Sequence, residues 1–343
     1  MSQTQPLSIP LNSSELDKFY IDKFYFSYSA INKLLYSPRV FYNHYILNER
    51  EDSTDAHLVA GRAAHCLLLE PEEFDNLFVL LPGKIPTDSN KVIIDHIFVN
   101  HYLPMKNDSL SLEDFPQDIL NQLLVNNLYQ SLKTDPQRLE KILTDNNKEY
   151  FDFLKTKQTK TVIDSTVKVK AQETVDIIKQ HKIVSALMAF GHDNSAGVTV
   201  HNELALMSDW DEYPFGFKGI LDNVVVDENI KTVFINDLKL TNKLIQDFPD
   251  SVAKFRYDIQ STIYRGLAYD KFIAHRADAK EWKTVFTFIV ADKYNQVYPF
   301  QVSDQTADLW QSDFYGVVKQ LDYHYSNRDY TLPFELAMGN VKL

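Results

Sequence analysis

The chain predicts an α/β (α+β) protein: a mixed central sheet flanked by helices. Strand patterns occupy 198–207, 215–227 and 232–240, a helical periodicity follows at about 250–276, and strand patterns return at 284–291 and 297–302. Strands, one long helix and strands again imply a mixed sheet with helices on its flanks.

Residues 1–25 are polar and without periodicity, and are expected as a flexible arm. Helical pattern begins at Phe26 and runs through Leu35. Ser37-Pro38 is then an N-cap with proline in the first turn, so a new helix should carry Phe41, Tyr42 and Tyr45. Residues 57–69 read as a buried helix closed by Pro71, with one further turn over 72–78. Residues 26–80 are therefore expected as N-terminal helices of the core. Residues 81–165, rich in Asp, Asn, Lys and Thr, show helical stretches near 115–132 and 136–145 and are expected as a helical insertion or lid. Residues 166–343 should hold the rest of the core. They begin with a helix over 166–190 whose apolar stripe is Val169, Thr174, Val175, Ile178, Val184 and Leu187.

The 343 residues are 44% hydrophobic and 24% charged, the balance of a globular protein. No apolar run reaches the ~20 residues of a membrane span and the N-terminus shows no basic-then-apolar leader, so no membrane partner and a cytoplasmic place are expected. One cysteine, Cys66, excludes an intramolecular disulfide and a cluster on four cysteines of this chain; it reads as core. No Gly-rich phosphate loop supports a nucleotide cofactor. With 35 Lys+Arg against 47 Asp+Glu the net charge is −12, which argues against broad phosphate binding. Acidic metal ligands add to that count, however, and bound cations invert the local field.

The chemistry concentrates on two strands. In Val-Phe-Ile-Asn-Asp-Leu-Lys, residues 233–239, alternation places Val233, Ile235, Asp237 and Lys239 on one face. In the preceding strand Asp222 should share a face with Ile220, Val224 and Val226. Acids and an amine on apolar faces are costly unless they meet a metal, a substrate or each other. Mg²⁺ or Mn²⁺, one or two ions, suits this set: Asp222 and Asp237 as carboxylate ligands, the Leu238 carbonyl between, and Lys239 to orient or deprotonate water and offset negative charge. A structural salt bridge at a strand end is the alternative. Glu203 reads equally as a ligand to a second metal or as a surface acid, and His201 as structural. Gln260 and Tyr264, four apart, share one side of the long helix. Lys254, Arg256 and Arg265 on that helix, with Arg62, are candidate phosphate contacts.

These residues occur in an order that resembles the PD-(D/E)XK nuclease superfamily, and within it the RecE-type (exodeoxyribonuclease VIII) phage exonucleases and their RecB-like relatives. Tyr28-Ser29-Ala30-Ile31 with Ser37-Pro38 and Tyr42 is similar to that group's opening helices. Residues 61–74 match its GRAxHxxxLEPExF signature. Glu203, residues 219–222, Asp237-Leu238-Lys239 and Gln260 with Tyr264 then follow in order. Mid-helix among Ala63, Ala64, Cys66 and Leu67, His65 would alone read as a core residue; the resemblance makes it a metal ligand. It also places Gln260 and Tyr264 beside the active site. Residues 82–160 lie outside the resemblance, and Leu240 stands where the family often has threonine.

The resemblance implies a restriction-endonuclease-like fold and a Mg²⁺-dependent exonuclease that degrades linear duplex DNA from the 5′ strand and leaves 3′ overhangs. It further implies a ring-shaped homo-oligomer and a single-strand-annealing recombinase as partner. The alternatives are an endonuclease or flap or single-strand nuclease with the same chemistry, and a non-catalytic DNA-end-binding, partner-binding or DNA-mimicking protein. Lys239→Ala is expected to keep the fold and abolish hydrolysis.

Overall fold

A computed structural model of the chain describes residues 13–49, 56–105, 107–191, 197–210 and 212–339. The chain divides into two compact units, 1–61 with 173–343, and 62–172. The first division falls earlier than the boundary expected near residue 80, so the C-terminal part of the His65 helix belongs to the second unit.

In the first unit, α1 (Ser13–Phe19) stands where an arm was expected; residues 1–12 of that arm lie outside the described residues. Phe19 packs edge-on against Tyr20, Phe41 and Tyr325, and Tyr20 donates to the Tyr325 carbonyl at 3.0 Å, which orders this stretch. After β1 (Tyr25–Phe26), α2 (Tyr28–Tyr36) is capped by Ser27. Ser37 both ends it and caps α3 (Pro38–Phe41), accepting from Val40 N at 3.4 Å, as the Ser-Pro pair predicts. Helix α4 spans Ala56–Leu69 and crosses the unit boundary.

The second unit pairs β2 (Phe78–Leu80) in parallel with β3 (Thr161–Ile163). Between them lie α5 (Asp88–Ile97), α6 (Pro116–Val125), α7 (Asp135–Ile142) and α8 (Asp145–Thr156). Ile93, Ile94, Ile97, Ile119, Leu123, Phe151 and Leu154 give these helices their own apolar core. Helices α5 and α8 are absent from the sequence reading.

The chain returns through α9 (Ser165–Gln180) and α10 (Lys182–Leu187). The single helix expected over 166–190 breaks because His181 leaves helical geometry and its Nδ1 accepts from Val184 N at 3.3 Å. Val175, Ile178 and Val184 are buried as expected, whereas Val169 is 56% exposed. Strands β4 (Val198–Asp209), β5 (Gly216–Asp227) and β6 (Thr232–Leu240) follow, then α11 (Phe248–Phe255), α12 (Tyr257–Phe272), β7 (Lys283–Ala291), β8 (Val297–Gln301) and α13 (Asp304–Asn327). The one helix expected over 250–276 is two, parted by Arg256 at φ 56°.

The sheet is mixed, as the pattern predicts. Its order is β1-β5-β6-β7-β8, with β4 also on β5; β1–β5 and β6–β7 are parallel and the other pairs antiparallel. Phe26, Ile31, Phe41, Phe217, Ile263, Leu267, Phe288 and Val318 belong to one core that joins α2, α3, α12 and α13 to the sheet. No helix among the described residues is long and apolar enough to cross a membrane.

Gly216 sits where β1, β4 and β5 meet. A Cβ there would lie 2.6 Å from the Ser208 carbonyl oxygen and from the Tyr25 ring, and a strand backbone cannot yield that distance. Gly216→Ala is expected to lower unfolding free energy by ~1–3 kcal/mol, read from urea denaturation, and a change within error would contradict the packing.

Candidate active site

β5 is flanked unevenly. β4 pairs along one edge; on the other, β1 holds Gly216 and Phe217 and β6 holds 223–227. Residues 218–222 of that edge have no strand partner among the described residues, and Asp222 closes this gap. The β5–β6 ladder ends at Asn223 with Asn236, so Asp222 and Asp237 come next to each other just where the strands part. There the Leu238 amide donates to Asp222 Oδ2 at 2.6 Å instead of to backbone. In a strand the N–H and C=O of one residue leave on the same edge, so the Leu238 carbonyl also faces β5.

The β4–β5 ladder has its own interruption. Asn202 pairs with Asn223 and Leu204 with Leu221, but the Glu203–Asp222 position between them is skipped. Glu203 has φ 47°, a left-handed backbone that costs a non-glycine residue about 1 kcal/mol or more. Side-chain alternation breaks here: Leu221, Val224 and Val226 all join the same core. Ile220, expected on the face of Val224 and Val226, is 54% exposed. The sequence pattern could not show this, because it assumes an unbroken pleat. Glu203 and Asp222, both half-buried, present carboxylate oxygens within 4.8 Å of each other.

Asp237 is 1% exposed. Its Oδ1 accepts from Gln260 Nε2 at 2.7 Å, and its Oδ2 forms an ion pair with Lys239 Nζ on the same strand. The Lys239 side chain keeps 17% of its surface exposed, and Nζ lies 4.7 Å from the Tyr257 ring centre. Burial works against the lysine's charge, but Asp237 and then Asp222 outweigh it, so its pKa is raised and it is an ammonium at neutral pH. Tyr264 packs where a Gly219 Cβ would stand, 2.6 Å from its ring. Burial first, then the Asp237 charge, pushes its pKa up, so it remains a phenol.

The opposite face of the sheet holds three residues that sequence reasoning missed. Asn223 Nδ2 donates to the Asn202 amide oxygen at 2.9 Å and to the Met188 carbonyl at 3.3 Å. Asn236 Nδ2 donates to Asn223 Oδ1 at 2.8 Å and to the Leu187 carbonyl at 2.9 Å. Each asparagine is the chain neighbour of an acid: Asn202 of Glu203, Asn223 of Asp222, Asn236 of Asp237. The row ties the three acid-bearing strands together and satisfies carbonyls at the end of α10. Its signal was legible as three Asn–acid pairs on successive strands.

His65, half-buried, and Arg62, exposed, lie on α4 within the second unit. Lys254 is exposed near the end of α11. Arg256 is held by Asp258, with Nη2 3.0 Å from Oδ2. Arg265 donates through Nε to Thr284 Oγ1 at 3.3 Å; burial lowers its pKa, with Asp308 and Asp304 opposing. His201 stacks near Phe272, 5.4 Å between ring centres, in keeping with a structural role. Cys66 is buried.

A hard divalent cation suits the donors present. Glu203 and Asp222 supply two carboxylate oxygens at facing positions, and the Leu238 carbonyl leaves its strand on the same side. No protein-family model and no curated protein matches the chain. A solved structure similar to it is described as "Putative exonuclease", from Eubacterium rectale, with 12% identity, TM-score 0.43, and coverage of 98% of this chain and 95% of that one. At that TM-score the likeness carries no functional weight.

Because Lys239 neutralises a buried carboxylate, Lys239→Ala tests stability as well as chemistry. It is expected to cost about 3 kcal/mol, and Asp237→Asn/Lys239→Ala to recover much of that loss, both read from chemical denaturation at pH 7. Equal stability of wild type and the single variant would show that the pair is not coupled.

Proposed function

We propose that the chain is a divalent-metal-dependent deoxyribonuclease with a PD-(D/E)XK site, acting as an exonuclease on linear duplex DNA. The observation that carries this reading is the convergence at one strand parting: Asp222 on the Leu238 amide, Glu203 within 4.8 Å of Asp222, and Asp237 paired with Lys239. A salt bridge built only for stability would need neither the left-handed Glu203 nor the interrupted ladder.

Asp222, Glu203 and the Leu238 carbonyl would hold Mg²⁺ or Mn²⁺, with Asp237 beside them. When bound, such a cation supplies Lewis acidity to the phosphate and makes neighbouring water more acidic. His65 is proposed as a nitrogen ligand on the strength of its signature. Lys239, as an ammonium, donates hydrogen bonds to phosphate oxygen as negative charge develops there. Gln260 fixes the Asp237 carboxylate and leaves its second oxygen for Lys239. Tyr264, against Gly219, holds α12 at the distance Gln260 requires. Arg62 and Lys254 are proposed phosphate contacts; Arg256 and Arg265 already serve Asp258 and Thr284. Attack from the 5′ strand, a 3′ overhang, a ring of subunits and an annealing recombinase as partner complete the reading, and rest on the sequence resemblance.

End-labelled linear duplex and covalently closed circles, each with Mg²⁺ or EDTA, test it. Wild type should degrade only the linear DNA, only with Mg²⁺, and Asp222→Asn should lose at least ~100-fold in rate while keeping its fold. Cleavage of closed circles would replace the exonuclease with an endonuclease. Hydrolysis in EDTA, or a fully active Asp222→Asn, would remove the metal site.

A further inference from the structure

Phe255 is a large apolar residue with 42% of its surface exposed, at the last position of α11. Its backbone is held with unusual care. Its carbonyl accepts from Tyr28 OH at 2.5 Å and from Asn32 Nδ2 at 3.0 Å, both on α2, and the left-handed Arg256 turns the chain immediately after it. The ring therefore sits on a fixed support while the residue remains substantially exposed to solvent. Two cations flank it, Lys254 Nζ at 5.5 Å and Lys243 Nζ at 5.9 Å from the ring centre, and Ser251 Oγ accepts from Lys243 at 3.3 Å. On its inner side stands Tyr257, 5.7 Å away at 32°, and over that ring lies Lys239. The exposed ring is thus one aromatic removed from the proposed catalytic lysine.

We infer that Phe255 is a stacking platform for an unpaired nucleobase of a single-stranded oligonucleotide, with Lys243 and Lys254 receiving the phosphates on either side. The ring offers a base a broad stacking surface, whereas an exposed ammonium gains little from the ring and keeps its water. A base would therefore displace the ammonium groups from the ring and free them for phosphate. The arrangement also answers the charge problem, since two lysines at one exposed ring concentrate positive charge locally on a chain of net charge −12. A protein partner would bury the ring without needing cations at its edge; an oligonucleotide uses both. The site deepens the nuclease reading, on which its relevance to Lys239 rests, by specifying a frayed or single-stranded end as the form of substrate engaged. Its binding step needs no hydrolysis.

The test is the affinity of a fluorescent ten-nucleotide oligothymidylate for the full chain in EDTA. Phe255→Ala and Phe255→Leu should each weaken binding by roughly 5- to 100-fold, and Phe255→Trp should bind at least as well as wild type. The leucine variant keeps apolar bulk at the helix end, so its loss would report the missing ring face and not a folding defect. Lys243→Gln with Lys254→Gln should lower the slope of log affinity against log salt by ~1.4, about 0.7 for each single-strand phosphate contact. Wild-type affinity in Phe255→Leu, or no binding by wild type, overturns the platform. Binding that follows these expectations in a protein that hydrolyses no DNA with Mg²⁺ overturns the nuclease reading alone.

Discussion

Asp237 is a carboxylate with almost no solvent contact, and a lone charge in such a place is destabilising by several kcal/mol. The site is organised by the way this charge is met. Lys239 reaches it from the same strand face two residues on, and Gln260 takes the other oxygen from the helix above. The residue between them, Leu238, gives its amide to Asp222. One three-residue stretch therefore neutralises one acid and fixes the second. Moving either strand by one residue would undo the Leu238–Asp222 contact, so strand register decides which acid stands beside the ion pair.

The sheet supplies the room. A β5 edge that carries β1 at one end and β6 at the other leaves 218–222 without a strand partner among the described residues. Unpaired strand edge is normally a liability, managed by covering it or breaking its regularity. On the opposite edge of β5 the β4 ladder is itself interrupted at Glu203, whose backbone is left-handed and whose carboxylate lies within 4.8 Å of Asp222. Behind, the row Asn202, Asn223 and Asn236 holds the strands in register across the interruption. Front and back thus differ: the front carries the interrupted ladder and the acids, and the back is closed by amide hydrogen bonds.

Much of this was legible in the residues. Strong alternation marked β4, β5 and β6, the Ser37-Pro38 pair marked a helix start, and Asp237-Leu238-Lys239 marked the candidate site. Spacing alone placed Gln260 and Tyr264 on one side of their helix, and both are there. What stayed hidden had no local mark. Arg256 and Glu203 adopt left-handed backbone with no glycine to announce it, so α11 and α12 read as one helix and the break at Asp222 read as continuous pleat. Helix α13 interleaves Gln, Asp and Ser with its buried Phe314, Val317, Val318 and Leu321, which blurred its stripe. In the second unit, Asn90 and Asn147 occupy buried helix positions, so α5 and α8 carry no clean apolar stripe in the sequence. Asn90 is satisfied by a distant partner, the Lys141 carbonyl, and Asn147 by a near one, the Ile142 carbonyl.

The sharpest single measurement is a calorimetric titration of Mn²⁺ into the wild-type chain and into Glu203→Gln and Asp222→Asn. Two facing carboxylates at the strand parting should bind the ion, and loss of either should weaken it by at least about tenfold, roughly the 1.4 kcal/mol of one removed charged ligand. Identical affinity in all three proteins would mean that these acids face each other for some reason other than a metal, and the proposed chemistry would fall with them.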